Sequence, residues 1–162
     1  MKKIFLASIL LFLGCSQTVK VNANKSNFKA NVLKKNKEKE DKNTLYKQYL
    51  NYAARYITLG NFNFALKNIK EAEKYKTEED PYFYEIRGVI YDALYEKDKA
   101  YNDFYKAMIL YYQNENYPRA LQMLAYLQAM RFGDPELEKW EKDIKLKLYQ
   151  QKLLKEKGNE KN

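Results

Sequence analysis

The sequence predicts an all-α domain of about six helices packed as antiparallel hairpins, and three observations carry that expectation. From Asn43 onward the apolar residues fall at helical spacing. Each of the three prolines, Pro81, Pro118 and Pro135, stands where a first helical turn would begin; the missing amide costs no hydrogen bond there. Small and large residues also recur at a fixed separation of 35 positions, at 53/88, 65/100 and 72/107 for the small ones and 49/84, 56/91 and 69/104 for the large.

The elements follow in order, at about 44–59, 61–76, 81–95, 97–113, 117–131 and 135–157. The first carries Tyr49, Tyr52, Ala53 and Tyr56 and stops before Gly60; the second carries Ala65, Ile69 and Ala72. Asp80-Pro81 opens the third with an N-cap residue followed by a first-turn proline. Tyr84, Arg87, Gly88 and Tyr91 lie along that helix, and Ala100, Phe104 and Ala107 along the fourth. Leu121, Leu124 and Ala125 mark the fifth, which ends near Gly133. Asp134-Pro135 opens the sixth, a long helix with Leu137, Trp140, Ile144 and Leu148 on one stripe. A charged tail, residues 158–162, follows. Connections are short, so successive helices pack antiparallel.

Composition excludes most reaction chemistry from this region. The chain has no His, which removes the commonest general base and metal ligand near neutral pH. Its single Cys allows no internal disulfide or thiolate cluster. The only serines, Ser8, Ser16 and Ser26, precede all 16 tyrosines, the first of which is Tyr46. No enzyme, cofactor or metal site is expected. The net charge of +9 also divides unevenly: +2 in residues 1–15, +5 in residues 16–43 and +2 in the rest, where 20 basic face 18 acidic residues. A nucleic-acid partner would need positive charge concentrated on the folded surface, so none is expected.

The first fifteen residues are a different kind of sequence. Lys2 and Lys3 precede an apolar run from Ile4 to Leu13, broken only by Ser8. At about 1.5 Å per residue it spans roughly half of a ~30 Å hydrocarbon core, which suits a signal peptide better than a membrane-spanning helix. The run ends in Leu11-Phe12-Leu13-Gly14-Cys15-Ser16, which resembles a lipobox, although Phe12 stands where that motif usually has Leu. The resemblance implies a leader of residues 1–14, cleavage after Gly14 and acylation of Cys15, hence a lipid-anchored protein of the bacterial envelope. By the sorting rules of such proteins, Ser16 in place of Asp implies the outer membrane, facing the periplasm. Cleavage instead after Val21-Asn22-Ala23 would release a soluble secreted protein. Residues 16–43 are rich in Lys and Asn without a sustained period and read as a flexible basic linker.

The 35-residue correspondence, Tyr49-x2-Tyr52-Ala53-x2-Tyr56 … Ala65-x3-Ile69-x2-Ala72 against Tyr84-x2-Arg87-Gly88-x2-Tyr91 … Ala100-x3-Phe104-x2-Ala107, resembles the tetratricopeptide repeat. Two places depart from it: Arg87 replaces a large apolar residue, and Tyr95 stands where the first unit has Gly60. The likeness implies a right-handed stack of helical hairpins, with two clear units and a degenerate third whose last helix caps the stack. It further implies a groove that binds another envelope protein, lined by Lys47, Leu50, Ala54 and Ile57 from the first helix and by Tyr82, Glu85, Val89 and Asp92 from the third. The alternative role is a structural tether or self-associating subunit, joined through Trp140 and its stripe.

Overall fold

The structure, a computed structural model, describes the backbone of residues 18–159 and the side chains of residues 34–157. The leader and Cys15 lie outside the described residues. Among the described residues there are six α-helices and no strand: α1 Thr18–Thr58, α2 Phe62–Tyr75, α3 Pro81–Ala93, α4 Lys97–Gln113, α5 Tyr117–Met130 and α6 Pro135–Asn159. The chain divides into two compact units, residues 1–41 and 42–162.

In the first unit the described residues correct one expectation: the segment read as a flexible linker is helical from Thr18 on. No Gly or Pro interrupts residues 16–59. Lys37/Asp41 and Glu38/Lys42 also stand at the i, i+4 spacing that favours a helix. Nucleation is the costly step of helix formation, whereas each further residue adds a hydrogen bond. A lysine-rich stretch with no apolar period therefore extends a helix whose later turns are held by packing. Its described side chains, Lys34–Asp41, are exposed.

In the second unit the helix ends follow local chemistry. Asp80 caps α3 by accepting from the Tyr82 amide at 2.9 Å, and Pro81 begins the helix. Asn61 and Asn116 cap α2 and α5 in the same manner, and Asp134 accepts from the Glu136 amide at 2.9 Å. The turns after α1, α3 and α4 share one geometry. Gly60, Tyr95 and Glu115 all have positive φ, at 69°, 62° and 56°. The next amide returns to a carbonyl five residues back: Asn61 to Tyr56, Glu96 to Tyr91 and Asn116 to Tyr111, each at 2.9 Å. Tyr95 thus performs the turn that Gly60 performs, at the steric cost of a Cβ in the left-handed region.

Two apolar clusters form the core. Tyr46, Leu50 and Ala53 of α1 meet Ala65, Ile69 and Ala72 of α2 and Phe83, Ile86 and Ile90 of α3. The second cluster joins α4, α5 and α6 through residues such as Phe104, Met108, Leu124, Leu127, Leu137 and Ile144. Residues 35 apart share their environment: Ala65 and Ala100, Ile69 and Phe104, and Ala72 and Ala107 are all fully buried. At the α3–α4 contact a Cβ on Gly88 would lie 2.8 Å from Phe104 Cε1, so only glycine permits this approach.

Arg87, a departure from the apolar pattern, reaches from α3 to the helices on either side of it. Its Nε and Nη2 donate to Asp103 at 2.7 and 2.8 Å, and Nη1 donates to Glu73 at 2.7 Å. One side chain on α3 thereby ties α2 to α4. Asp103, first among its neighbours, holds the guanidinium further toward its charged form. Tyrosine hydroxyls supply four more long links: Tyr46 to Asp80 at 2.7 Å, Tyr111 to Glu85 at 2.6 Å, Tyr105 to Glu136 at 2.8 Å and Tyr112 to Asp143 at 2.6 Å.

Candidate docking face

The eight residues expected to line a groove do not share one environment. Lys47 is exposed on α1. Leu50, three residues on, belongs to the core at 5% exposure, which removes it from any open groove. Its position on α1 faces both α2 and α3, and an apolar side chain there is drawn into their common cluster. Ala54, Ile57 and Tyr82 are half-buried against that same cluster, and Val89 packs against the second one. These four present edges rather than free faces. Asp92 is engaged by Lys97, with 2.6 Å between Oδ1 and Nζ.

Glu85 requires the largest correction. It is buried at 8% exposure, and both of its carboxylate oxygens are occupied. The Tyr111 hydroxyl donates to Oε2 at 2.6 Å, and Arg119 Nη1 donates to Oε1 at 2.9 Å. A carboxylate is tolerated at so buried a place because a cation and a hydroxyl satisfy it. Burial, and then the bond to Glu85, push the Tyr111 hydroxyl well above the usual phenol range. The accessible group here is consequently Arg119, whose side chain remains 45% exposed. Its location on α5 was hidden from sequence reasoning, although an acidic residue on an apolar face is a signal that a cation lies opposite.

One cavity, of about 240 Å³, opens beside Lys47 where α1 meets the α2–α3 connection. It is framed by Tyr46, Lys76, Glu78, Glu79 and Asp80. The Tyr46 hydroxyl bonds Asp80 Oδ2, and burial followed by that bond raises its pKa above the ordinary phenol value. Lys76 donates to the Tyr84 hydroxyl at 2.9 Å and lies 4.5 Å from the centroid of that ring. Tyr84 in turn donates to Glu79 at 2.7 Å, which, with Lys76 and Lys106 nearby, holds the Glu79 carboxyl below its usual range. Lys76, Glu79 and Asp80 are thus bound to one another or to phenols, whereas Lys47 projects beside them with no ion pair among the described residues.

The stripe of α6 faces inward. Leu137 and Ile144 are buried in the second cluster, and Trp140 is half-buried, edge-on to Tyr112 with centroids 5.3 Å apart. Leu137 and Ile144 are thus covered by α4 and α5, and of this stripe Trp140 keeps a partly open side, beside Tyr105 and Asp143.

No group of three or more potential metal ligands occurs among the described residues, and none of their helices is long and apolar enough to cross a membrane. The chain matches no family model, no curated protein and no solved structure.

Proposed function

We propose that this chain is a lipid-anchored envelope protein, facing the periplasm from the outer membrane, whose helical domain is a tetratricopeptide-like stack that docks a segment of another envelope protein. The observation that carries the reading is the 35-residue correspondence. It sets small residues at contacts between helices and is matched in burial and in turn geometry, Gly60 answering to Tyr95. Hairpins nested through such residues build a curved face in repeat proteins, and that face serves binding rather than catalysis.

The accessible groups on the docking side are Lys47, the edge of Tyr82 and Arg119. Their charge suits a partner segment with a carboxylate set among apolar residues. The anchor is Cys15, which stands where the apolar run ends; two or more acyl chains make membrane attachment lasting.

Two measurements test the two halves of the proposal. Growth with a labelled fatty acid labels the wild-type chain and leaves Cys15→Ala unlabelled; equal labelling, or none in either, removes the anchor. A photo-crosslinking side chain at Tyr82 captures a different envelope protein, and Lys47→Glu with Arg119→Glu abolishes the adduct. Capture of this chain alone, or an adduct indifferent to both charges, removes the docking role.

A further inference from the structure

The distal half of α6 runs beyond the packed core and carries a second stripe on its outer side. Leu146 and Tyr149 are 53% and 61% exposed and Leu153 is half-buried. At i, i+3 and i+7 they share one helical face, flanked by Leu154 at 72% exposure. Lys145 and Lys152 flank this stripe on one side and Lys147 on the other. Residues 145–157 hold five Lys, one Glu and no Arg, and among the described residues only Lys145 of the five forms an ion pair, with Glu141.

We propose that this half of α6 lies along an anionic bilayer surface, with Leu146, Tyr149 and Leu153 among the headgroup–acyl boundary and the lysines against the lipid phosphates. A helix with an apolar stripe and a lysine-rich border has the charge and depth complementarity of such a surface. The helix is also formed in advance. Gln151 Nε2 donates to the Glu115 carbonyl at 3.1 Å, fixing the segment to the α4–α5 turn, so binding does not have to order it first. The inference needs no acyl group and stands apart from Cys15.

The test uses the full chain with Cys15→Ala and Tyr149→Cys, labelled at the new thiol with an environment-sensitive fluorophore. It is mixed with vesicles of phosphatidylcholine alone or with added phosphatidylglycerol. Emission shifts to the blue with the anionic vesicles only, while the same label at Asn102, exposed on α4, does not shift. Each lysine contributes about fivefold to partition at an anionic surface, so Lys147→Gln with Lys152→Gln weakens the response roughly 25-fold. High salt weakens it also. A shift equal in neutral vesicles, or none in either, overturns the proposal. So does a shift that grows with protein concentration without lipid, which assigns the stripe to a second copy. A shift produced by an acidic polypeptide and not by vesicles assigns it to a protein and overturns the proposal equally.

Discussion

Replacing Gly88 by Ala tests the closest helix–helix approach in the domain. The new Cβ would stand 2.8 Å from Phe104 Cε1 and 2.9 Å from Cδ1. Nonbonded carbons rest at about 3.5–4 Å, so the ring would have to withdraw by roughly 0.7 Å or more. Its retreat is resisted by packing. Phe104 is fully buried and stacked on Tyr126, with centroids 4.7 Å apart and planes within 9°. Overpacking of this kind costs about 1–3 kcal/mol, and exchanging a helical Gly for Ala returns about 1 kcal/mol. The expected net loss is about 1 kcal/mol for Ala. It rises to about 3 kcal/mol for Val, which adds two more carbons and has poorer helix propensity. Urea unfolding followed by far-ultraviolet circular dichroism measures both. Adding Phe104→Leu to the Ala variant removes the colliding ring edge and recovers about 1 kcal/mol relative to additivity. An Ala variant as stable as the wild type, or the absence of coupling to position 104, would refute the argument that glycine is required for this contact.

Asp103→Ala leaves the Arg87 guanidinium half-buried with only Glu73 opposite, and we expect a loss of about 2–3 kcal/mol. Glu73, half exposed, costs under about 1 kcal/mol when replaced by Ala. Urea midpoints distinguish the two, and equal losses would mean that Asp103 is not the principal partner. Tyr95→Gly relieves the left-handed strain of a side chain that is 85% exposed; a gain of about 0.5–1 kcal/mol should appear as a higher melting temperature. A lower one would show that the ring has an unrecognised structural role. The Tyr112 hydroxyl, bonded to Asp143, is pushed up from its ordinary value of 10.0 to about 12. The folded state therefore holds this proton over a range in which the unfolded state has lost it. The associated stability is fully present below pH 10 and declines as pH rises toward 12. Urea midpoints across that range should fall less steeply in Tyr112→Phe, and an unchanged slope would exclude the contribution.

The helical architecture was legible because its boundaries are written locally. Asp80-Pro81 and Asp134-Pro135 each combine a cap with a first-turn proline, and α3 and α6 begin at those prolines. The start of α1 was not legible. Residues 18–41 have no apolar period to recognise, and their helicity comes from extending turns that are packed elsewhere. The site was legible only in part. The groove positions came from a family resemblance that says which side of a helix is open, but Leu50 faces α2 and α3 together. Glu85 is satisfied by Tyr111 and Arg119, 26 and 34 residues away on other helices. Local spacing cannot reveal such partners. The inner stripe of α6 was recognised as apolar, yet what covers it depends on where α4 and α5 lie.

The abundance of tyrosine acquires a meaning from the four phenol–carboxylate bonds that join residues 26 to 34 positions apart. Two greasy surfaces can slide over one another at little expense, since one methyl group is nearly as good a neighbour as the next. A hydroxyl aimed at a single oxygen admits no such latitude. Were the α3–α4 hairpin displaced by a helical turn, about 5.4 Å, Tyr46, Tyr105 and Tyr112 would lose their partners together, and a slip of α4 along α3 would part Tyr111 from Glu85 as well. Each ring therefore works as a key with an oily shaft and a polar bit, and the assembled helices have one register in which all four locks turn.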